Sequence, residues 1–264
     1  MDATAPKPSA QATGEPIVEA RDLVRRFGPV VAVNGISLSI AAGEVFALIG
    51  PNGAGKSTLM KVFTTMLPPT SGHVTVGGFD VAKSSHDVRC HIGYVPQLLS
   101  ADGELTAHEN LMLSARLYLI PSAERAGRVA QALKMMDLTA AKDRLVRTYS
   151  GGMARRLEIA QSTLHRPAVL FMDEPTVGLD PAGRRAVWDL VHVLRREIGA
   201  AVVFSTHYMD EAEDVCDRLA LISGGKVAAI GTPAELRARV GNDATLDDVF
   251  TQLTSTRANA TGAT

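Results

Sequence analysis

The sequence predicts an α/β fold with a largely parallel sheet, and three observations predict it. The apolar run Val45-Phe46-Ala47-Leu48-Ile49 leads through a glycine-rich turn into Leu59-Met60-Lys61-Val62-Phe63, which reads as strand, loop and helix. Ala168 to Met172 and Ala201 to Phe204 are continuous apolar runs of the kind buried on both faces of a parallel sheet. Between them, about Pro181 to Glu197 carries Val187, Leu190, Val191 and Leu194 at helical spacing, so the three segments form a βαβ unit with a right-handed crossover.

Earlier in the chain, Ile17 to Ala20 and Ile36 to Ile40 read as short strands, and Ala41-Ala42-Gly43-Glu44 as the turn into the strand at Val45. Pro68 to Gly72 breaks the chain after the loop helix, and His73 to Val76 resumes the strand pattern. Thr106 and Glu109 make a capping-box signature ahead of Leu111, Met112, Ala115 and Leu119. Pro121 separates that helix from a second one, about Ser122 to Met136, with Val129, Leu133 and Met136 on one face. Residues from about 100 to 165 therefore read as a helical subdomain, whose methionines serve as core filler.

At 264 residues the chain can bury a substantial core as one domain with a subdomain. The balance of 27 basic and 28 acidic residues, formal charge −1, lacks the basic footprint of a nucleic-acid binder. Cys90 and Cys216 form no disulfide framework and no zinc spacing; both read as buried thiols in a reducing cytosol. No apolar run approaches the roughly 20 residues of a membrane-spanning helix. Residues 1–15 lack the pattern of a secretory signal and read as a disordered tail. The small, polar end from Ser255 to Thr264 is expected to fray.

The turn Gly50-Pro51-Asn52-Gly53-Ala54-Gly55-Lys56-Ser57-Thr58 fits G-x-x-x-x-G-K-[ST]. Its glycines let successive N–H groups face phosphate oxygens, and the helix dipole adds to the attraction. Lys56 can reach β and γ phosphates, and the Ser57 hydroxyl can ligate Mg²⁺. The strand at Ala168 ends in Asp173-Glu174-Pro175. Ligands of open α/β sheets sit beyond the strands' carboxyl ends, which puts this pair beside the loop. Asp173 suits Mg²⁺, and Glu174 can orient and deprotonate an attacking water. By the same rule His207, after Ser205-Thr206, is a candidate γ-phosphate contact; the other six histidines read as structural. Ser150 can cap a helix whose Gly151 and Gly152 expose its N–H groups, a second anion site at a helix tip.

Taken together, these motifs resemble the ATP-binding cassette (ABC) ATPases over about residues 17 to 235. The phosphate loop is similar to their Walker A, Val169 to Glu174 to Walker B, and Ser150-Gly151-Gly152 to the signature motif. Gln97 after Tyr94-Val95-Pro96 resembles the Q-loop, Val177-Gly178-Leu179-Asp180 the D-loop and His207 the switch histidine. The resemblance implies a P-loop NTPase with a RecA-like mixed or parallel sheet core, an antiparallel β subdomain and a helical subdomain. It divides the chain into a tail at 1–15, an ATPase domain at 16–240 and a C-terminal extension at 241–264.

It also implies ATP and Mg²⁺ as cofactors, held by residues 50–58, Ser57, Gln97 and Asp173, with Phe27 stacked on adenine. Lys56, Glu174 and His207 would carry catalysis. A second cassette, in a homodimer, would cover the nucleotide with Ser150, Gly151 and Gly152, while Asp180 couples the two sites. The partner implied is a membrane permease on a separate chain, contacted through the helical subdomain and the segment from Gln97 to Thr106. The location implied is peripheral, on the cytoplasmic face, with no nucleic acid bound.

Phe27, Tyr149 and Met153 depart from the commoner Tyr, Leu and Gln of the family. With Thr245 to Phe250, the latter two resemble the drug-exporting, daunorubicin-type branch. The alternative is a non-transport ABC ATPase acting on nucleic acid or ribosomes. Such relatives generally show long coiled coils or two cassettes per chain, and neither pattern is present. A P-loop kinase or GTPase fits less well, since no N-K-x-D motif occurs.

Overall fold

The computed structural model describes residues 16–241 and 244–261, so the tail expected at 1–15 lies outside the described residues. In chain order the elements are β1 (Val18–Phe27), β2 (Val30–Ile40), β3 (Val45–Ile49), α1 (Lys56–Phe63), β4 (Ser71–Val76), β5 (Phe79–Asp80), α2 (Ser85–His91) and β6 (Ile92–Val95). Then follow α3 (Ala107–Leu117), α4 (Ser122–Met135), α5 (Gly151–Thr163), β7 (Val169–Asp173), α6 (Pro181–Ile198) and β8 (Ala201–Thr206). The chain closes with α7 (Met209–Val215), β9 (Arg218–Ser223), β10 (Lys226–Gly231), α8 (Pro233–Ala238) and α9 (Leu246–Thr261).

Two sheets organise these elements. The six-stranded sheet runs β10-β9-β3-β8-β7-β6, parallel except for β10, which pairs antiparallel with β9. The four-stranded sheet runs β2-β1-β4-β5 and is antiparallel throughout. All residues of β3, β7 and β8 are buried, as continuous apolar strands covered on both faces should be. One face of the parallel sheet packs with α3, α4, α5 and α6, where Leu111, Val129, Leu157 and Val191 are inaccessible to solvent. The other packs with α1 and the antiparallel sheet through Phe46, Phe63, Phe171 and Leu23.

Capping explains the helix starts. Thr106 and Glu109 form the expected capping box on α3, and Ser150 caps α5 by accepting from Met153 N. Asp180 accepts from Gly183 N at the start of α6, with Pro181 in its first turn.

Several expectations need correction. β1 and β2 are about twice the anticipated length, because irregular pairing after Ala20, Leu23 and Arg25 breaks the alternation that marks a strand. β4 begins at Ser71 rather than His73, and a side chain on Gly72, at φ +86, would run into Asp22 O. Leu119 does not continue the buried face of α3. The helix ends at Leu117, and Leu119, at φ 55, is 83% exposed. Cys90 is exposed rather than buried, whereas Cys216 is buried. The segment from Ser255, expected to fray, belongs to α9 as far as Thr261, and 262–264 lie outside the described residues. Among the described residues no helix is long and apolar enough to cross a membrane.

Candidate functional site

β3, β7 and β8 are adjacent and parallel, so their carboxyl ends bring three separate sequence segments to one sheet edge. A cleft of about 430 Å³ opens there. It is lined by residues 52–58 of the glycine loop, by Gln97, Glu174 and His207, and by Ala32 and Val177. Gly55 sits at φ +104, where a side chain would strike Ala32 O. The loop can therefore fold against β2 only with glycine at this position.

Four polar groups converge on one another at the floor of the cleft. Lys56 is buried and donates to Gly50 O (2.6 Å) and Pro51 O (3.1 Å), with its Nζ 3.6 Å from Glu174 Oε1. Burial pulls the Lys56 pKa below the ordinary lysine value, and the Glu174 and Asp173 carboxylates oppose that pull. Gln97 Nε2 lies 3.4 Å from Glu174 Oε2, and His207 Nδ1 lies 3.3 Å from the same oxygen. The histidine approach is misaligned, and its buried Nδ1 makes no hydrogen bond.

Glu174 has φ 47, an uncommon conformation for a residue with a side chain. Its N–H is held by Ser205, bonding to Oγ at 3.0 Å and to the carbonyl at 3.2 Å. Ser205 also donates to Asp173 Oδ1 at 2.6 Å, and Ser57 Oγ donates to that same oxygen at 3.1 Å. Ser205 thus orients both carboxyl residues, a role not apparent from its place at a strand end. Asp173 and Ser57 present hard oxygen donors side by side, a set that fits Mg²⁺.

The remaining candidates lie elsewhere. Ser150, Gly151 and Gly152 cap α5 away from the cleft, with Gly151 against Leu179 and Gly152 against Gly183. Asp180 shares that second surface as the cap of α6. Phe27 is exposed, does not line the cleft, and carries the Arg25 guanidinium 4.6 Å above its ring.

Residues 33–177 match the family described as ABC transporter. The linearmycin resistance ATP-binding protein LnrL of Bacillus subtilis is 42% identical over 228 residues, covering 86% of this chain and 73% of that protein. The chain belongs to the ABC transporter family. This ABC cassette is an ATPase of that family. It is also 42% identical to the daunorubicin/doxorubicin resistance protein DrrA of Streptomyces peucetius, over 86% of the cassette and 68% of that protein. A solved ATP-binding subunit of an ABC transporter superposes with a TM-score of 0.80 at 30% identity, covering 90% of the cassette and 99% of that chain. The dimeric post-hydrolysis cassette MJ0796, bound to ADP and phosphate, superposes at 0.72 with 26% identity, covering 81% of the cassette and 98% of that chain.

Proposed function

We infer that this cassette is the ATP-hydrolysing subunit of an exporter, driving a drug-like or other hydrophobic compound through a permease on a separate chain. The observation that carries this reading is the convergence of Lys56, Gln97 and His207 on Glu174 beside the Ser57–Asp173 pair. The naming of similar proteins for resistance to linearmycin, daunorubicin and doxorubicin supports the cargo class.

In this reading the backbone N–H groups of residues 52–58 and the Lys56 ammonium hold the β and γ phosphates of ATP. Ser57 and Asp173 hold Mg²⁺, with the Gln97 side-chain oxygen as a further donor, and the ion neutralises charge on the transferring phosphoryl group. Glu174 orients water in line with the γ-phosphate and takes its proton. His207 hydrogen-bonds a γ-phosphate oxygen. Catalysis then rests on positioning and charge complementarity. Phe27 contributes an aromatic face for adenine.

A second copy supplies Ser150, Gly151 and Gly152 to the nucleotide, with Asp180 linking the two sites across the interface. That assignment accounts for a helix tip on a surface away from the cleft. Release of phosphate restores repulsion between the halves and reopens them. The exposed apolar side chains Leu98, Leu99, Leu117 and Leu119 give the permease a docking surface on the helical side. The cassette then sits on the cytoplasmic membrane face, with 16–240 as its ATPase domain, about 100–165 as the helical part and 241–264 as an extension.

A binding titration tests the reading. Magnesium-dependent affinity for ATP is expected, and Lys56→Ala should weaken it by about tenfold to a hundredfold, the worth of a charge-assisted contact. Undiminished affinity in that variant would remove Lys56 from the site.

A further inference from the structure

The segment that carries Gln97 is gripped from behind by α5. Arg155, 3% exposed, donates to Pro96 O (2.6 Å) and Gln97 O (2.8 Å), and its Nη1 also reaches Glu158 Oε2 at 2.9 Å. Glu158, 2% exposed, accepts from the backbone N–H of Ser100 and from Ser100 Oγ (2.9 Å). Further along α5, Ser162 Oγ donates to Tyr94 O at 2.8 Å. The chain from Tyr94 to Ser100 is therefore tied to one helix at four points, two of them through a single buried guanidinium.

Stability alone does not account for this pair. A buried ion pair is often replaceable by apolar residues of similar volume without loss, because the charges must be stripped of water. Here the Arg155 Nε is also buried without a hydrogen-bond partner, an added cost. What the pair does supply is geometry. A planar fork can hold two successive carbonyls at once, and a carboxylate one turn further on can fix the third residue beyond them. The tip of the same helix is Ser150, five residues before Arg155 and about 7.5 Å away along the axis.

The geometry points to Arg155 and Glu158 as positioning residues that lock the Pro96–Ser100 backbone to α5. The Gln97 amide beside Glu174 and the Ser150 helix tip then move as one body. The inference rests on the reading of Gln97 as part of the nucleotide and Mg²⁺ site, and adds to it a link between one copy's cleft and the tip it offers to the other.

The test uses the full chain with the paired substitution Arg155→Met, Glu158→Leu, which removes both charges together. The variant should melt near the parental temperature and keep its affinity for ATP without Mg²⁺. Hydrogen exchange at the Ser100 amide, which donates to Glu158, should rise about tenfold or more while α1 is unaffected. The gain in ATP affinity on adding Mg²⁺ should shrink, and adding Gln97→Ala should shrink it no further. Unchanged exchange at Ser100, or a fully additive effect of Gln97→Ala, would overturn the inference. If Gln97→Ala alone leaves the Mg²⁺ gain intact, the role of Gln97 fails, and the exchange measurement still decides the grip. Should the double variant not fold, Arg155→Lys keeps the charge and loses the fork; with the Pro96 and Gln97 carbonyls released, the same exchange increase at Ser100 is then expected, and its absence is equally decisive.

Discussion

His207 Nδ1 stands 3.3 Å from Glu174 Oε2 without hydrogen-bonding to it. The carboxylate is thus flanked by histidine, by the Gln97 amide and by Lys56, yet the histidine nitrogen stays uncommitted. In the proposed mechanism such an arrangement lets neighbours orient Glu174 as the base and leaves His207 free to turn to a phosphate.

Glu174→Gln preserves the size of the side chain and an oxygen for its neighbours, and removes the proposed base. The variant should bind ATP about as tightly as the parent while turnover falls by roughly 10²- to 10⁴-fold, the usual worth of general-base catalysis. It should also accumulate a closed dimer. Phosphate release at the parental rate would rule out the assignment.

Ser205→Ala tests the support beneath the carboxylates. The hydroxyl donates to Asp173 Oδ1 at 2.6 Å and accepts from Glu174 N at 3.0 Å, so its loss frees one carboxylate and loosens a strained backbone. Apparent Mg²⁺ affinity, or turnover at fixed Mg²⁺, should drop by about 10- to 100-fold, as when an outer partner of a metal ligand is removed. The Kd for ATP without Mg²⁺ should hold. Unaltered Mg²⁺ dependence would show that Asp173 needs no such partner.

The case of Ser205 also marks how far the sequence is legible. The phosphate loop, Asp173, Glu174 and His207 could be placed at one edge because each follows a buried apolar strand, and strand ends are readable. The partners of Ser205 lie at the end of β7 and just past it, 32 and 31 positions away, and no local pattern announces such a pairing. The same reason hides Arg155 and Glu158. On α5 they look like solvated helix charges, and their burial follows from the loop that lies over them. Strand β1 is half legible, since its bulges scramble the alternation, and β9 and β10 complete the central sheet without a catalytic motif at their ends to mark them.

Ser150→Arg separates the two surfaces. Ser150 is exposed at the cap of α5, apart from the cleft, so a long cationic side chain there disturbs neither the loop nor Glu174. The single chain should bind ATP normally. ATP-driven dimerisation, followed by light scattering, should be lost or shifted by at least tenfold in protein concentration. Normal dimerisation would argue against a shared site.

His165 provides a pH test independent of nucleotide. Its ring stacks on Tyr118 at 3.9 Å, and its Nε2 bonds to Ile92 O at 2.9 Å. Burial pushes its pKa down from 6.5 to about 4, the backbone bond opposing and His91 adding slightly. The unfolded chain therefore binds a proton between about pH 6.5 and 4 that the folded chain refuses. Stability from the neutral ring is complete above the unfolded value and is lost as pH falls toward the folded one. The loss is on the order of 3 kcal/mol at its acid limit. His165→Gln keeps a donor for Ile92 O and cannot charge. Its urea midpoint should decline less steeply than the parent's from pH 6.5 to 4, with the two chains differing little in slope above pH 7. Parallel curves across the acid range would mean that the ring gains its proton without leaving its place against Tyr118.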